Sequence, residues 1–321
     1  GTVRLPPEEL PIDPATEAVV GAEDPTLPAA DPATPAATTP TDAPEHASDA
    51  PRIAIETGEF QGSLSLRGGR IDDLALTQYR ETIDEDAEIV RLLRPVGAAG
   101  AYFASFGWTG TDGIDANAVP GPDTVWSVES GEPLTPGSPV TLVWDNGVGQ
   151  IFRTVVSVDD EFMFTVDQSL ESTTATPVSA RPYGLLRRHG QPDDLKNFFI
   201  LHEGLVRMTD GELEETGYDD ITEYEIDPRE RSQAERLDVT TTCCIDYTDH
   251  DWMTTLIPDQ ATPFRSTSKY FDSRDLFQAE AVMPIETVAA GQTATVTTRL
   301  FAGAKEWEAI RNYQNDDGVA G

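Results

Sequence analysis

The chain has 321 residues, enough for a substantial buried core in one large or two medium domains. Its 57 acids outweigh 22 lysines and arginines, a formal net charge of −35, and only three of those cations are lysines. Such a surface repels phosphate backbones and anionic bilayers, which sets nucleic-acid binding aside. The chain contains no apolar run of the roughly eighteen residues a membrane helix needs, and its first residues do not read as a signal peptide. It reads as soluble.

Residues 1–50 hold ten of the 24 prolines, eleven alanines and ten acids, with Arg4 as their one cation and no aromatic. The run Asp-Pro-Ala-Thr starts at Asp13 and again at Asp31. This composition buries too little apolar surface to offset chain entropy, and its prolines favour extended backbone. The segment reads as a disordered tether, and His46 within it is set aside as a site residue.

From Pro51 the pattern turns β. Residues Arg52–Glu56 alternate, Gly62-Ser-Leu-Ser-Leu-Arg67 alternates again before the Gly68-Gly69 turn, and Ile71, Leu74 and Leu76 follow. Val140–Trp144 and Ile151–Val156 flank Asp145-Asn-Gly147, the signature of a hairpin, and Phe162–Val166 extends it into a meander. Further strands are expected at Phe198–Leu201, Leu205–Met208, Phe264–Tyr270, Leu276–Met283 and Thr293–Leu300. Frequent strands joined by short polar turns predict an all-β antiparallel sandwich, each sheet packed on one face.

The last element differs. Between Ala304 and Gln314, Trp307, Ile310 and Tyr313 recur at i, i+3 and i+6 with charges between them, and Gly318 lies beyond. These three form one stripe, expected to dock on the β domain while Lys305, Glu306, Glu308 and Arg311 stay wetter.

Residues with chemical potential are few. His202 beside Glu203, and His250 between Asp249 and Asp251, pair an imidazole with a carboxylate. Strand neighbours point to opposite faces, however, so adjacency makes no catalytic pair and both read as structural. The run Asp112-Gly-Ile-Asp115-Ala-Asn117, with Asp123 beyond, lacks the spacing of a calcium loop and reads as a solvated turn. Asp159-Asp160-Glu161 and Glu212-Leu-Glu-Glu215 read the same way. No nucleophile elbow, phosphate loop or zinc motif occurs, so no catalytic, cofactor or metal residue is assigned. Arg187-Arg188-His189 is the one basic cluster. Internal salt bridges are its default role, with an anion or an acidic partner loop as the alternative. Trp108, Trp126, Trp144, Phe162, Phe164 and Trp252 read as core, one or two of them as candidates for a sugar-stacking cleft. Cys243 and Cys244 are adjacent; bridging neighbours closes a strained ring, so no structural disulfide is expected.

Several runs together resemble the periplasmic domain of YidC/Oxa-family membrane protein insertases of the alphaproteobacterial kind. They are Gly62-Ser-Leu-Ser-Leu, Gly69-Arg-Ile-Asp-Asp-Leu74, Tyr79-Arg-Glu-Thr82, Phe106-Gly-Trp108, Pro120-Gly-Pro-Asp-Thr-Val-Trp126 and Arg181-Pro-Tyr-Gly-Leu-Leu186. Ile200-Leu-His-Glu-Gly-Leu205, Trp252-Met-Thr-Thr-Leu-Ile-Pro258 and Leu300-Phe-Ala-Gly-Ala-Lys305 follow in the family's order. The resemblance implies a large β-supersandwich of the galactose-mutarotase kind over residues 51–303. The Pro/Ala-rich tether 1–50 would lead from a first membrane helix, and a helix and connector at 304–321 would lead back to the membrane.

It further implies a non-catalytic domain on the periplasmic side of the inner membrane, with no cofactor. Its partners would be the Sec translocon and its SecDF accessory, and nascent inner-membrane proteins reached through membrane helices. Trp307, Ile310 and Tyr313 would then be membrane-coupling positions. One departure is local: the family's Gly-Trp-Ile-Gly run is replaced here by Cys243-Cys-Ile-Asp246. The alternatives are a mutarotase-like or carbohydrate-binding extracytoplasmic module, or an independent adhesion or scaffold domain.

The charge makes its own prediction. Self-repulsion at this net charge is screened within about 10 Å at 0.1 M salt. Thermal unfolding should move to higher temperature between low salt and roughly 0.3 M sodium chloride, and a flat or falling midpoint would contradict this.

Overall fold

A computed structural model describes residues 45–315 apart from 48, 85, 112, 193, 194, 196–201, 241 and 242. The tether expected over 1–50 therefore lies mostly outside the described residues, as does the strand expected at 198–201.

Twenty strands and two short α-helices make up the described chain. In order, the first ten strands are β1 (Arg52–Glu56), β2 (Phe60–Ser65), β3 (Arg70–Arg80), β4 (Ile89–Leu93), β5 (Tyr102–Gly110), β6 (Ser127–Ser130), β7 (Val140–Asp145), β8 (Gln150–Val158), β9 (Met163–Ser172) and β10 (Val178–His189). Then come β11 (Gly204–Thr209), β12 (Glu212–Gly217), α1 (Tyr218–Thr222), β13 (Ile226–Asp227), β14 (Ser232–Val239), β15 (Cys243–Thr248) and β16 (Trp252–Pro258). The chain closes with β17 (Phe264–Phe271), β18 (Leu276–Val282), β19 (Glu286–Val288), β20 (Thr293–Ala304) and α2 (Trp307–Asn315).

All named pairings are antiparallel. An 11-stranded sheet runs β1-β2-β3-β5-β10-β18-β17-β14-β13, with β4 beside β3 and β19 beside β10. A 9-stranded sheet runs β12-β11-β15-β16-β20-β9-β8-β7-β6. The expected all-β supersandwich with a C-terminal helix is what forms. Its core lies between the sheets, where Trp108 meets Phe152 edge-on at 6.0 Å and Phe60 stacks on Phe164 at 5.3 Å.

The β7–β8 hairpin shows how local chemistry sets register. Gly147 takes a left-handed φ of 74°, Asp145 Oδ1 accepts its N–H at 2.8 Å, and Asn146 Oδ1 accepts from Val148 and Gln150. With the turn fixed, β8 alternates buried and half-buried positions without a break.

Three expectations need correction. Glu212-Leu-Glu-Glu215 is edge strand β12, paired along β11, and not a turn. Its acids sit on an outermost strand, where charge blocks further pairing. Helix α1 was not foreseen, because five residues carry no full amphipathic period; it buries Tyr218 and Ile221. Cys244 is disulfide-bonded despite the strain argument. The Cys-Cys departure leaves β15 paired on both sides, to β11 and β16.

Gly303 on β20 makes a steric requirement. A Cβ there would stand 2.4 Å from the Phe162 ring, which also packs edge-on against Phe301 at 5.8 Å. Gly303→Ala should therefore displace Phe162 and destabilise the domain by about 1–3 kcal/mol in chemical denaturation.

Candidate functional site

The basic cluster is divided between the two faces of β10. Arg188 shares its face of the strand with Leu186 and points between the sheets, where its guanidinium pairs with Asp249 at 2.9 Å and lies 4.9 Å from the Tyr102 ring. Tyr218 of α1 completes this nest, 5.8 Å from Arg188 and within 3.3 Å of the same carboxylate. Arg187 points the other way, onto the outward face of the 11-stranded sheet, yet is fully buried.

A polar chain spans that outward face across four neighbouring strands, β10, β18, β17 and β14. Arg187 Nε donates to Gln278 at 2.6 Å, and Gln278 Nε2 donates to Glu280 at 2.8 Å. Lys269 bridges Glu280 at 3.1 Å and Glu230 at 2.7 Å, and Arg236 meets the other Glu230 oxygen at 3.1 Å. Register explains the assembly: Arg187 pairs with Gln278, and Gln278 with Lys269, so their side chains leave the sheet together. Internal pairing, the default for this cluster, is what the geometry realises. The second partner of Arg187 is Glu45, and His46 bonds Asp123 at 3.1 Å. His46 thus has a structural role that setting it aside missed.

The C-terminal helix is the second candidate. Tyr313 is buried, packs edge-on against Phe301 at 6.0 Å, donates its hydroxyl to Asp159 at 2.6 Å and accepts the Phe162 N–H at 3.1 Å. Burial and the Asp159 carboxylate push the Tyr313 phenol well above the ordinary tyrosine range. Ala309 is buried beside it and Ile310 packs against the core. Trp307 does not: it is 72% exposed. The expected single stripe is split, because three-residue steps drift around the helix and nine residues are too few to keep both ends facing in. The junction before the helix is tied down as well. Lys305 Nζ donates to the Asp249 carbonyl, its N–H to the Asp251 carbonyl at 2.9 Å, and Tyr79 bonds the Glu306 carboxylate.

The other sequence candidates are dispersed. His202 bonds the Leu205 carbonyl at 2.9 Å, and His250 meets Asp251 at 2.8 Å without a third catalytic partner among the described residues. Asp123 pairs with His46 and Arg67. No group of His, Cys, Asp and Glu suited to a metal ion occurs among the described residues. Trp108, Trp126, Phe162 and Phe164 are buried, while Trp144 and Trp252 are partly buried against the core.

Comparison with known proteins gives this fold its family. A model described as the YidC periplasmic domain matches residues 52–318. The chain belongs to this family. The membrane protein insertase YidC of Roseobacter denitrificans is 53% identical over 265 residues, 83% of this chain and 44% of that protein. The same protein of Ruegeria pomeroyi is 48% identical over 323 aligned residues, 98% of this chain and 53% of its own length. The chain thus spans about half the length of the curated relatives it matches. Among solved structures, a galactose mutarotase related enzyme from Lactobacillus acidophilus aligns with a TM-score of 0.54 at 10% identity, over 79% of this chain and 97% of that one. The Slr1438 protein from Synechocystis aligns at 0.51 and 8%, over 80% and 97%. At such identities the likeness is one of fold, and fold alone carries no chemistry.

One titratable group went unnoticed in the sequence. Asp246 of β15 is buried, with one oxygen accepting from Thr255 at 3.3 Å, and burial pushes its carboxyl up to about 7. Lys305 draws it back only in part, and burial lowers the lysine in turn. A carboxyl raised from 3.8 to about 7 on folding holds its extra proton in the folded state. The stability linked to it is complete below the lower value and lost as pH climbs through the upper one. Asp246→Asn should therefore flatten the fall in stability between about pH 4 and 7, where wild type loses at most about 1.4 kcal/mol per pH unit from this group. Parallel wild-type and variant melting profiles across that range would contradict the assignment.

Proposed function

We propose that this chain is the non-catalytic periplasmic interaction domain of a membrane protein insertase. In this reading residues 1–50 are the tether from a first membrane helix, 51–303 the supersandwich, and 304–321 the connector toward the remaining helices. The intact protein then sits in the bacterial inner membrane and assists insertion and folding of inner-membrane proteins together with the Sec translocon and SecDF. The observation that carries the reading is the family match over 52–318, joined to relatives about twice as long as this chain.

The C-terminal helix suits such a role because its two sides are differently committed. Tyr313 and Ala309 hold it to the domain, and Trp307 stands out into solvent at the end nearest the Lys305–Glu306 junction. An exposed tryptophan offers an apolar ring with a polar N–H, suited to a protein or interfacial contact. Trp307, Ile310 and Tyr313 thus form a coupling element in which docking sets the helix angle and Trp307 makes the contact. The sugar-binding alternative rests on fold likeness alone.

The test uses the full-length insertase. Trp307→Ala should change domain stability by less than about 0.5 kcal/mol, as surface substitutions do, while lowering insertion of a membrane-protein substrate. Tyr313→Ala should lower both, by about 3 kcal/mol in stability, because it empties a packed aromatic site. Normal insertion with Trp307→Ala would remove the coupling role.

A further inference from the structure

In a two-layer sandwich the outward face of a sheet is ordinarily wetted. Here the outward face of the 11-stranded sheet carries a fully buried Arg187 and nearly buried Arg70 and Asp72. Residues 45–50, upstream of β1, supply partners for both arginines. Glu45, whose side chain is only 4% exposed, pairs with Arg187, and the His46 carbonyl lies 3.5 Å from Arg70 Nη2. Arg70 lies 5.9 Å from the Phe103 ring, gives Nη1 to the Pro122 carbonyl at 3.2 Å and stands 3.6 Å from Asp72.

The reach of the segment is diagnostic. From β1 to β10 the sheet path crosses four strand spacings, about 19 Å at the usual 4.8 Å each. Seven residue steps from Glu45 to Arg52 span at most about 24 Å. The chain ahead of Arg52 is thus long enough to bring Glu45 to β10, four strands away. The receiving end is built beforehand. Gln278 fixes the Nε side of Arg187, and Glu280 and Glu230 are both engaged by Lys269, so the sheet's own acids are committed along the network. A buried guanidinium needs a carboxylate, and the acid on Arg187 comes from the tether.

We infer that this outward face is a carboxylate-receiving cleft for an acidic peptide, and that its resident occupant is the chain's own stretch at Glu45 and His46, seated by Glu45 on Arg187. The inference stands on this domain alone and does not require the insertase assignment.

The experiment titrates a fluorescein-labelled peptide with the sequence of residues 41–50 into the full chain and into its Glu45→Gln variant, followed by anisotropy. The variant should bind the peptide at least tenfold more tightly than wild type, whose cleft is already filled. That binding should weaken at least tenfold between 50 mM and 0.5 M sodium chloride, and the peptide should raise the variant's melting temperature. A peptide with its own glutamate changed to glutamine leaves the protein untouched and should not bind. Equal affinity for wild type and variant, no uptake by the variant, or equal binding of the glutamine peptide would each overturn the inference.

Discussion

A buried cation must meet a carboxylate, and this requirement organises the domain. The chain is overwhelmingly acidic, yet several of its scarce cations are inside: Arg187, Arg207 and Lys269 are fully buried and Arg188 nearly so. Each is met by acids from a different stretch of sequence: Glu45, Glu214 and Glu235, Glu230 and Glu280, and Asp249. These pairs join regions that hydrophobic packing alone would leave free to slide. Breaking one partner strands the other in low dielectric, so the network constrains strand register more than it adds stability. Apart from the buried Asp72 and Asp246, many of the other described acids are exposed, where like charge opposes self-association.

The two ends of the domain are organised by different means. At the N-terminal side, a charged contact on Arg187 receives residues just upstream of β1. At the C-terminal side, a phenol shared between a carboxylate and a backbone N–H receives the helix. Both anchor a short segment to a sheet surface, and both leave polar or aromatic groups pointing outward. The sandwich is thus a platform that fixes how its flanking segments depart, consistent with a domain whose relatives are about twice its length.

Much of the architecture was legible because strand alternation and turn residues are local signals. The β7–β8–β9 meander follows from Asn146, Gly147 and a period of two. Strand β12 was hidden because its acids mask the alternation, leaving Leu213 as its one large apolar residue, itself exposed. Helix α1 was hidden by brevity. The candidate sites were less legible. Arg187 and Arg188 are neighbours in sequence but lie on opposite faces with unrelated partners, and those partners come from strands and loops far along the chain. Asp246 gave no sequence signal, since its burial depends on the packing of β11, β15 and β16. Trp307 was placed with Tyr313 by periodicity, and only the docked geometry separates them.

Strand β20 sits between β16, which pairs with its residues Thr298–Ala304, and β9, which pairs with Thr293–Phe301. Strand β1 is the outermost strand of its sheet, bonded along β2 over five residues and on its other edge held by a single parallel bridge from Ile55 to Leu134. The two ends therefore answer tension differently. A pull entering through α2 loads β20 in shear, so many backbone bonds on both sides must fail together. A pull entering ahead of β1 meets a five-residue edge strand, with β2 on one side and one bridge to Leu134 on the other, and so fewer bonds to break. The domain is mechanically polar, stiffer at β20 than at β1.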